Sequence, residues 1–593
     1  MKGTWKLINH ILNKNCRTSI LPDFVMDGNL KVDQPSGIAN AFNKFYINIG
    51  GNLASNISAS DKTFSHYLAG AHERSFFLHP TNIEEVIEII SAQDNKKAVG
   101  FDKISGSVIK RCINVIAKPL VNIFNLSFIT GTVPNDMKIA EVITLYKAGD
   151  RNLVKNYRPI SLLPFLSKIL ERLVFNRVHS YLEKNTILND NQYGFRPNHS
   201  TQLAVIDLID KVSNAFSNKH YGIGIFLDLS KAFDTVNHNI LLKKLDHYGI
   251  RGIAWHWFHN YLTHRQQYVK FKSCKSNLDT IKCGVPQGSI LGPLLFLLYI
   301  NDIQSTSTVL SFILFADDTN IFYSHKDLVQ GSKIVNRELK VVADWFRANK
   351  LSLNLDKTNF MIFHPYQRTI CNINIQIDNK VLTSVNTTKF LGVIIDKNIN
   401  WKPHIQKVKL CISKIVGVMY KLKDFIPKHV LLSLYKTLLL PHLNYCAIVW
   451  ANASPSIVNS LFLLQKRAIR IICNVAFRDH TSHLFYNLQI LSIFDIYYHH
   501  LGIFIYKWKK SLLPHKFGTF FTPTDLIHSH YTRNSSNIYY QHTYSSIFNS
   551  SIKINGPRYW NTLDPLISSS KSLFRFKKSL KLHLLVKRNK LFV

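Results

Sequence analysis

Two adjacent carboxylates, Asp317 and Asp318, interrupt two apolar stretches, residues 309–315 and 321–323, in the run Phe315-Ala316-Asp317-Asp318-Thr319. That arrangement constrains the chain more than any other. Two strands joined by a tight turn would hold both acids at a hairpin tip. Adjacent carboxylates beside apolar strands repel each other and resist desolvation. A turn wanting Asp for its backbone chemistry accounts for one acid, but not for two between buried strands. A third acid, Asp228, follows the apolar run Ile223-Gly224-Ile225-Phe226-Leu227. The residues after it, Leu229-Ser230-Lys231-Ala232-Phe233, lead into a helix expected to run through about His247, with Gly249 placed to end it. Taken alone, Asp228 reads as an ordinary helix N-cap. Taken together, the three acids suit hard divalent cations, Mg²⁺ in particular, which bind through a few carboxylates and keep positions for substrate phosphates. Two such ions roughly 4 Å apart clamp the attacking and leaving oxygens of an in-line phosphoryl displacement. The chemistry implied is nucleotidyl transfer.

The charge balance points the same way. Over 593 residues, 73 Lys and Arg face 36 Asp and Glu, a formal net charge of +37. A field of that sign favours a polyanion, most commonly nucleic acid. With 46% apolar residues the chain is not mainly disordered. The eight cysteines are scattered and no pair has Cys-x-x-Cys spacing, which excludes a disulfide-stapled scaffold and a zinc knuckle of that type. The thiols are read as reduced, in an intracellular protein. The longest apolar run, residues 294–300 with Ile290-Leu291-Gly292-Pro293 before it, is too short to span a bilayer, so no membrane partner is expected.

Along the chain, residues 1–78 are rich in Asn, Ser and Gly and are expected to be loosely ordered. A helix is expected from Thr81, capped by it with Glu84 three residues on, its face made of Ile83, Val86, Ile87 and Ile90. A second helical stretch covers residues 107–128. Helix and strand then alternate irregularly from about 140 to 400, an α+β or α/β pattern. Beyond Trp401, Ile405, Val408, Ile412, Ile415, Met419 and Leu422 form one helical stripe with six lysines (402 to 423) largely off it. Residues 496–593 hold two acids, Asp525 and Asp564, against 15 Lys and Arg, a density that suits a phosphate-tracking surface or a basic tail.

Several stretches then identify a family. Phe315-Ala316-Asp317-Asp318 resembles the (Tyr/Phe)-Ala-Asp-Asp box of reverse transcriptases, and Phe226-Leu227-Asp228-Leu229-Ser230-Lys231-Ala232-Phe233-Asp234 resembles their first catalytic motif. Between them, residues 284–293 include the Pro286-Gln287-Gly288 segment, similar to the family's nucleotide-positioning stretch. Upstream stand Asn156-Tyr157-Arg158-Pro159 and Gln192-Tyr193-Gly194-Phe195-Arg196-Pro197. Downstream stand Asn354-Leu355-Asp356-Lys357-Thr358 and Lys389-Phe390-Leu391-Gly392-Val393, all in the family's order. The flavour is that of non-LTR (LINE-type, jockey-like) retrotransposon polymerases, and it extends to Gly100-Phe101-Asp102-Lys103, Pro441-His442-Leu443-Asn444 and Gly556-Pro557-Arg558-Tyr559-Trp560-Asn561.

The resemblance implies an α+β right-hand polymerase that copies RNA into DNA, with RNA template, DNA primer or target and dNTPs as partners. Asp228, Asp317 and Asp318 would hold two Mg²⁺ ions, or Mn²⁺ in their place, with the Leu229 carbonyl assisting. Phe233 takes the steric-gate position against a ribose 2′-hydroxyl; as a bare residue it reads as a packing aromatic. Lys147 and Arg158 match positions that meet the incoming triphosphate, and Arg offers a planar fork to phosphate oxygens. Gln287 and Gly288 would line the nascent base pair, Gly allowing close backbone approach. Lys357 falls near the family's proposed proton donor to pyrophosphate, and Arg196 would touch template backbone.

The expected organisation is a linker-like segment (1–78), a helical extension (79–139), fingers and palm (140–400), a helical thumb (401–480) and a basic helical nucleic-acid-binding region (481–593). Thr4-Trp5-Lys6-Leu7-Ile8-Asn9 resembles the linker that follows an endonuclease domain in such elements. Fewer than 140 residues precede the polymerase stretch, so nicking for target-primed synthesis is expected from elsewhere, and no ribonuclease H constellation is evident. Two competing readings are a catalytically inactive, domesticated or truncated RNA-binding module on a polymerase fold and a DNA-templated or maturase-type relative. An intact catalytic set argues against the first. A nuclear location, a cytoplasmic ribonucleoprotein particle or both fit the sequence; the oligomeric state is open.

Overall fold

The computed structural model describes residues 21–28, 30–95, 98–365, 368, 371–527, 537–540 and 551–590. The linker-like run Thr4-Trp5-Lys6-Leu7-Ile8-Asn9 lies outside them. The fold is α+β, and two five-stranded sheets organise the first two thirds of the chain. In the central sheet, Tyr221–Leu227 occupies the middle. Asp318–His325 and then Ser311–Phe315 lie to one side of it, Asn359–Phe363 and then the short Thr383–Ser384 to the other. All neighbours run antiparallel except the last pair.

Alternation along the middle strand explains its unbroken apolar sequence, because successive side chains enter opposite cores. Ile223, Ile225 and Leu227 join one core with the helices Phe165–Lys184, Leu291–Ile300 and Leu328–Ala348. Phe226 faces the other, with Phe322 and Phe363 and with the helices Thr201–Ser217 and Lys402–Leu422. Gly224 shares that second face because a Cβ there would lie 2.7 Å from the Phe363 ring. Leu291–Ile300 is buried on every side, so the longest apolar run of the sequence is a core helix.

The second sheet orders Tyr157–Leu162, Ile139–Tyr146, Gln266–Phe271 and Cys274–Lys275, with Asp279–Thr280 also on Gln266–Phe271. Across it lies a helix that the sequence had suggested would be loosely ordered chain. Pro35–Ser55 buries Ile38, Phe42 and Tyr46, and Phe42 meets Tyr157 edge-on at 5.0 Å and Phe271 at 6.1 Å. Asn43, fully buried, donates to the Asn277 carbonyl and to Asp279 Oδ2. Its Oδ1 accepts from Gln267 Nε2, so the polar core of the contact is satisfied. The Asn, Ser and Gly that suggested disorder mostly sit on the exposed side of this helix.

Other local expectations shift by small amounts. The helix expected from Thr81 is Ile83–Ala92, and its cap is Asn82, whose side chain accepts from the Glu85 amide. Thr81 instead donates its hydroxyl to Glu85, and the buried face is Val86, Ile89 and Ile90, with Ile83 exposed. The stretch 107–128 is two helices, Gly106–Arg111 and Ile113–Thr130. By length and composition alone Ile113–Thr130 could cross a membrane. Asn125 on it exchanges two hydrogen bonds with the Thr81 backbone, which ties it to the rest of the protein.

Past Trp401 the chain is mainly helical. Lys402–Leu422 buries Ile405, Val408, Ile412, Met419 and Leu422, with Ile415 partly covered, and keeps its lysines toward solvent. The last region is no loose tail in its described part. Ile493–Lys509 packs on Ile552–Trp560 and on Leu573–Lys590. The ion pairs Lys516–Asp207 (2.6 Å) and Lys553–Asp210 (2.8 Å) fasten the region to Thr201–Ser217. The anchoring of Pro35–Ser55 has a measurable consequence. Phe42→Ala should cost about 3–5 kcal/mol, the usual loss for emptying a buried Phe site. Denaturant unfolding checks it, and hydrogen exchange should show residues 35–55 losing protection first.

Candidate active site

The sheet register brings the three acids together. Leu227 pairs with Thr319 in the antiparallel ladder, so one step further sets Asp228 opposite Asp318. On the other side Phe226 pairs with Asn359, and two steps further put Lys357 opposite Asp228. Lys357 Nζ accordingly lies 3.8 Å from Asp228 Oδ2. Asp228 is not a helix cap. The helix after it is His238–His247, capped by Asn237, and residues 228–237 form a loop along the cleft. The Asp228 amide donates to Thr358 Oγ1 (3.3 Å) and its carbonyl accepts from the Asn354 amide (2.8 Å). The Asn354–Thr358 stretch thus clamps the backbone of the acid.

The hairpin between Phe315 and Asp318 turns through Ala316, whose φ of 55° is left-handed. Such a residue needs outside support. Gln192 Oε1 accepts from the Ala316 amide (3.0 Å) and from Gly194 (2.8 Å). Any Cβ on Gly194 would collide with the Ala316 nitrogen. The Gln192-Tyr193-Gly194 motif therefore braces the acid-bearing turn. Arg196 of the same motif, expected to meet template, is directed inward. It pairs with Glu183 at 3.1 Å and donates to the Asn189 carbonyl.

Asp228, Asp317 and Asp318 line one cleft of about 810 Å³, and Lys147, Arg158 and Lys357 line it with them. Burial in the cleft, aided by the Asp228 charge, raises the Asp317 carboxyl above its ordinary range. Asp318 is pushed up to about 6 by partial desolvation and then by the charges of Asp317 and Asp228. Acids held this close favour a proton or a cation between them. Burial lowers Lys147, and repulsion from Arg158 and Lys357 adds to it, with Asp228 and Asp317 opposing. The donor set fits a hard cation, being all carboxylate oxygen. Among the described residues no three acidic, His or Cys side chains close on one point, so substrate or water oxygens would complete the coordination of any ion held there.

Leu229, Phe233 and Gln287 also line the cleft. Phe233 backs onto Phe296, with ring centroids 4.6 Å apart, and meets Phe195 edge-on at 6.3 Å, so packing fixes a ring that lines the cleft. Gly288 lies behind, with φ of 135°, where a Cβ would strike the Ser161 carbonyl oxygen. The neighbouring Gln287 carbonyl accepts from the Ser161 amide at 2.8 Å. These two contacts join the 284–293 loop to Tyr157–Leu162, the strand that carries Arg158.

Sequence reasoning quoted two contributors without giving them roles. Asp234 accepts from Gln287 Nε2 at 2.7 Å and so aims the amide. Lys231, with φ of 52°, lines the cleft and donates to the Tyr157 carbonyl. Both stand in the 226–234 motif, and an amide set between Gly284 and Gly288 was the signal that a partner must orient it.

With this geometry in place, comparison with known proteins defines the class. Residues 146–395 match the family described as reverse transcriptase (RNA-dependent DNA polymerase). The chain carries a reverse transcriptase domain, and its relatives are RNA-directed DNA polymerases of non-LTR retrotransposons. It is 28% identical over 436 residues to the probable RNA-directed DNA polymerase from transposon BS of Drosophila melanogaster, covering 70% of this chain and 47% of that protein. It is 29% identical over 421 residues to that from transposon X-element (69% and 46%), and 27% over 442 to that from mobile element jockey (72% and 48%), both of the same fly. The chain spans about half the length of these relatives.

Asp234 yields a pH prediction. Burial pushes its carboxyl up to about 6, against 3.8 for the free group, with the Gln287 hydrogen bond opposing. Between pH 4 and 6 the folded state then holds more protons than the unfolded state, so stability falls as pH rises through that window and levels off above it. The cost above pH 6 is on the order of 2–3 kcal/mol. Asp234→Asn should be more stable than wild type at pH 7.5 and gain nothing at pH 4, as followed by urea unfolding at both pH values.

Proposed function

We propose that this chain is an RNA-directed DNA polymerase that extends a DNA primer on an RNA template from dNTPs. The observation that supports it most is the register that sets Asp228 opposite Asp318, with Asp317 in the same cleft and Lys147 and Arg158 facing them. In this reading residues 140–400 are fingers and palm, 401–480 the thumb, 79–139 a helical extension and 481–593 a basic nucleic-acid-binding region.

Asp228, Asp317 and Asp318 would hold two Mg²⁺ ions, which Mn²⁺ could replace, with the Leu229 carbonyl as a further oxygen. When bound, the ions lower the charge cost of bringing a primer 3′-hydroxyl to the α-phosphate and of releasing pyrophosphate. Lys147 and Arg158 hold the triphosphate in line. Their mutual repulsion favours an anion between them, and the Arg fork suits two phosphate oxygens. Lys357, exposed at the cleft edge beside Asp228, supplies a proton to the leaving pyrophosphate. Gln287, aimed by Asp234, and Gly288, close to backbone, shape the floor under the nascent base pair. Phe233, held by Phe296, stands where a ribose 2′-hydroxyl would press. Synthesis primed at a nick in target DNA accounts for the partners: RNA template, target DNA and dNTPs. Such work places the protein inside the cell, at chromatin, in a ribonucleoprotein particle or in both.

Two tests follow from these assignments. In primer extension on RNA with Mg²⁺ and dNTPs, Asp317→Asn/Asp318→Asn should lose at least about a thousandfold in rate, as expected when the charge clamp goes. Filter binding should show that RNA affinity persists, and near-full extension by the variant would overturn the assignment. Phe233→Val should raise use of ribonucleotides relative to deoxynucleotides by roughly tenfold or more, the size of one lost steric contact. Single-nucleotide incorporation kinetics measure it, and an unchanged ratio would return Phe233 to a packing role.

A further inference from the structure

We infer that the carboxy-terminal helices hold a second nucleic-acid site, a pocket that takes one unstacked base of a single strand against tyrosine rings and its phosphate on Lys587. The site lies outside residues 146–395. It sharpens the nucleic-acid-binding assignment of residues 481–593, yet it does not depend on polymerase chemistry in the cleft.

The pocket, about 550 Å³ in volume, opens where Ile493–Lys509, Ile552–Trp560 and Leu573–Lys590 meet. That is the size of cavities that accept small organic ligands. Tyr498 and Tyr559 line it with ring centroids 4.9 Å apart, and Phe494 adds a third aromatic surface. Tyr498 is 41% exposed, so its ring is open to contact. The Tyr559 hydroxyl is buried with no hydrogen-bond partner among the described residues, which leaves the lining short of one polar contact.

The charges complete the case. Asp495 is the acid of the lining, and Arg588 neutralises it at 2.5 Å while also bonding Ser492. Arg588 is in turn held over the Phe462 ring, so it serves the structure. Arg558 is likewise held over the Tyr540 ring, and with Lys587 the lining is net positive. Lys587 is exposed near the end of a helix that carries four further basic residues between 575 and 581. Paired aromatic surfaces beside cations match a base with its phosphate. A base stacks on an aromatic face for roughly 1–3 kcal/mol whatever its identity, and a basic surround tracks the backbone. A stacked duplex does not offer a free base face, so the ligand is a single strand. RNA and DNA share this chemistry and differ at the 2′-hydroxyl.

The test uses the full chain and short single strands of RNA or DNA that carry one photoreactive 5-iodouracil. Crosslinks should map by mass spectrometry to Tyr498 or Tyr559 and be competed by unlabelled single strand but not by duplex. Tyr498→Ala, at a half-exposed site, should weaken single-strand binding by about 5- to 100-fold. Lys587→Ala should reduce the salt dependence by about one phosphate. Crosslinks from RNA alone would add a ribose contact, and crosslinks from both strands would show a site that reads base and phosphate only; either supports the pocket. Crosslinks confined to other regions, or unchanged binding by Tyr498→Ala, would overturn it. The Asp317→Asn/Asp318→Asn variant should keep the crosslink while losing extension, so the two sites fail separately.

Discussion

Like-charge repulsion among Asp228, Asp317 and Asp318 is the constraint the surrounding structure is built to withstand. Left free, three carboxylates on flexible loops would move apart or take up protons. Here the middle strand fixes one acid and its neighbour in the sheet fixes the other two, so separation would require breaking a ladder buried on both faces. Burial first, and then the charges of Asp317 and Asp228, push Asp318 up to about 6. Preorganised charge of this kind favours a divalent cation over bulk water, because the reorganisation cost has been met during folding.

Support for the acids comes from chain segments far apart in sequence. Gln192 and Gly194 hold the left-handed turn at Ala316. Asn354 and Thr358 hold the Asp228 backbone. On the opposite wall, Asp234 aims Gln287, and Ser161 fixes the loop that carries it. Behind Asp234 sits Tyr46 of the amino-terminal helix, and Gly50 of that helix packs so close to the Asp234 carbonyl that no Cβ would fit. The helix expected to be loosely ordered chain is thus part of the wall that shapes the cleft.

What could be read from sequence was what local periodicity and residue order encode. The hairpin around Asp317 and Asp318 was legible because apolar runs bracket two acids that no turn needs. The stripe from Ile405 to Leu422 was legible because a helix repeats every 3.6 residues. Pro35–Ser55 was misjudged since its anchor is Asn43, a polar residue whose burial depends on Asn277, Asp279 and Gln267, more than 220 positions away. The Arg196–Glu183 pair was illegible for a similar reason: Glu183 sits 13 residues back, on a helix, and a charge in a motif does not reveal which way it points. Asp228 looked like a cap because an acid after a strand often begins a helix. Only the register shows that the chain instead continues as a loop past Lys357.

The carboxy-terminal region shows how far a net charge can mislead about form. Fifteen basic residues against two acids over residues 496–593 suggested a phosphate-tracking surface or a basic tail. Yet its described helices bury Tyr497, Phe504, Trp560, Phe576 and Leu580, and two of its lysines are spent on Asp207 and Asp210. Those lysines lie beneath the sheet that carries the acids, so the region is docked on the reverse transcriptase domain rather than tethered to it. A rigidly docked module keeps any strand it holds at a fixed distance from the cleft. A flexible tail would raise only the local concentration of nucleic acid. Docking therefore gives the region a positional role that its charge alone could not.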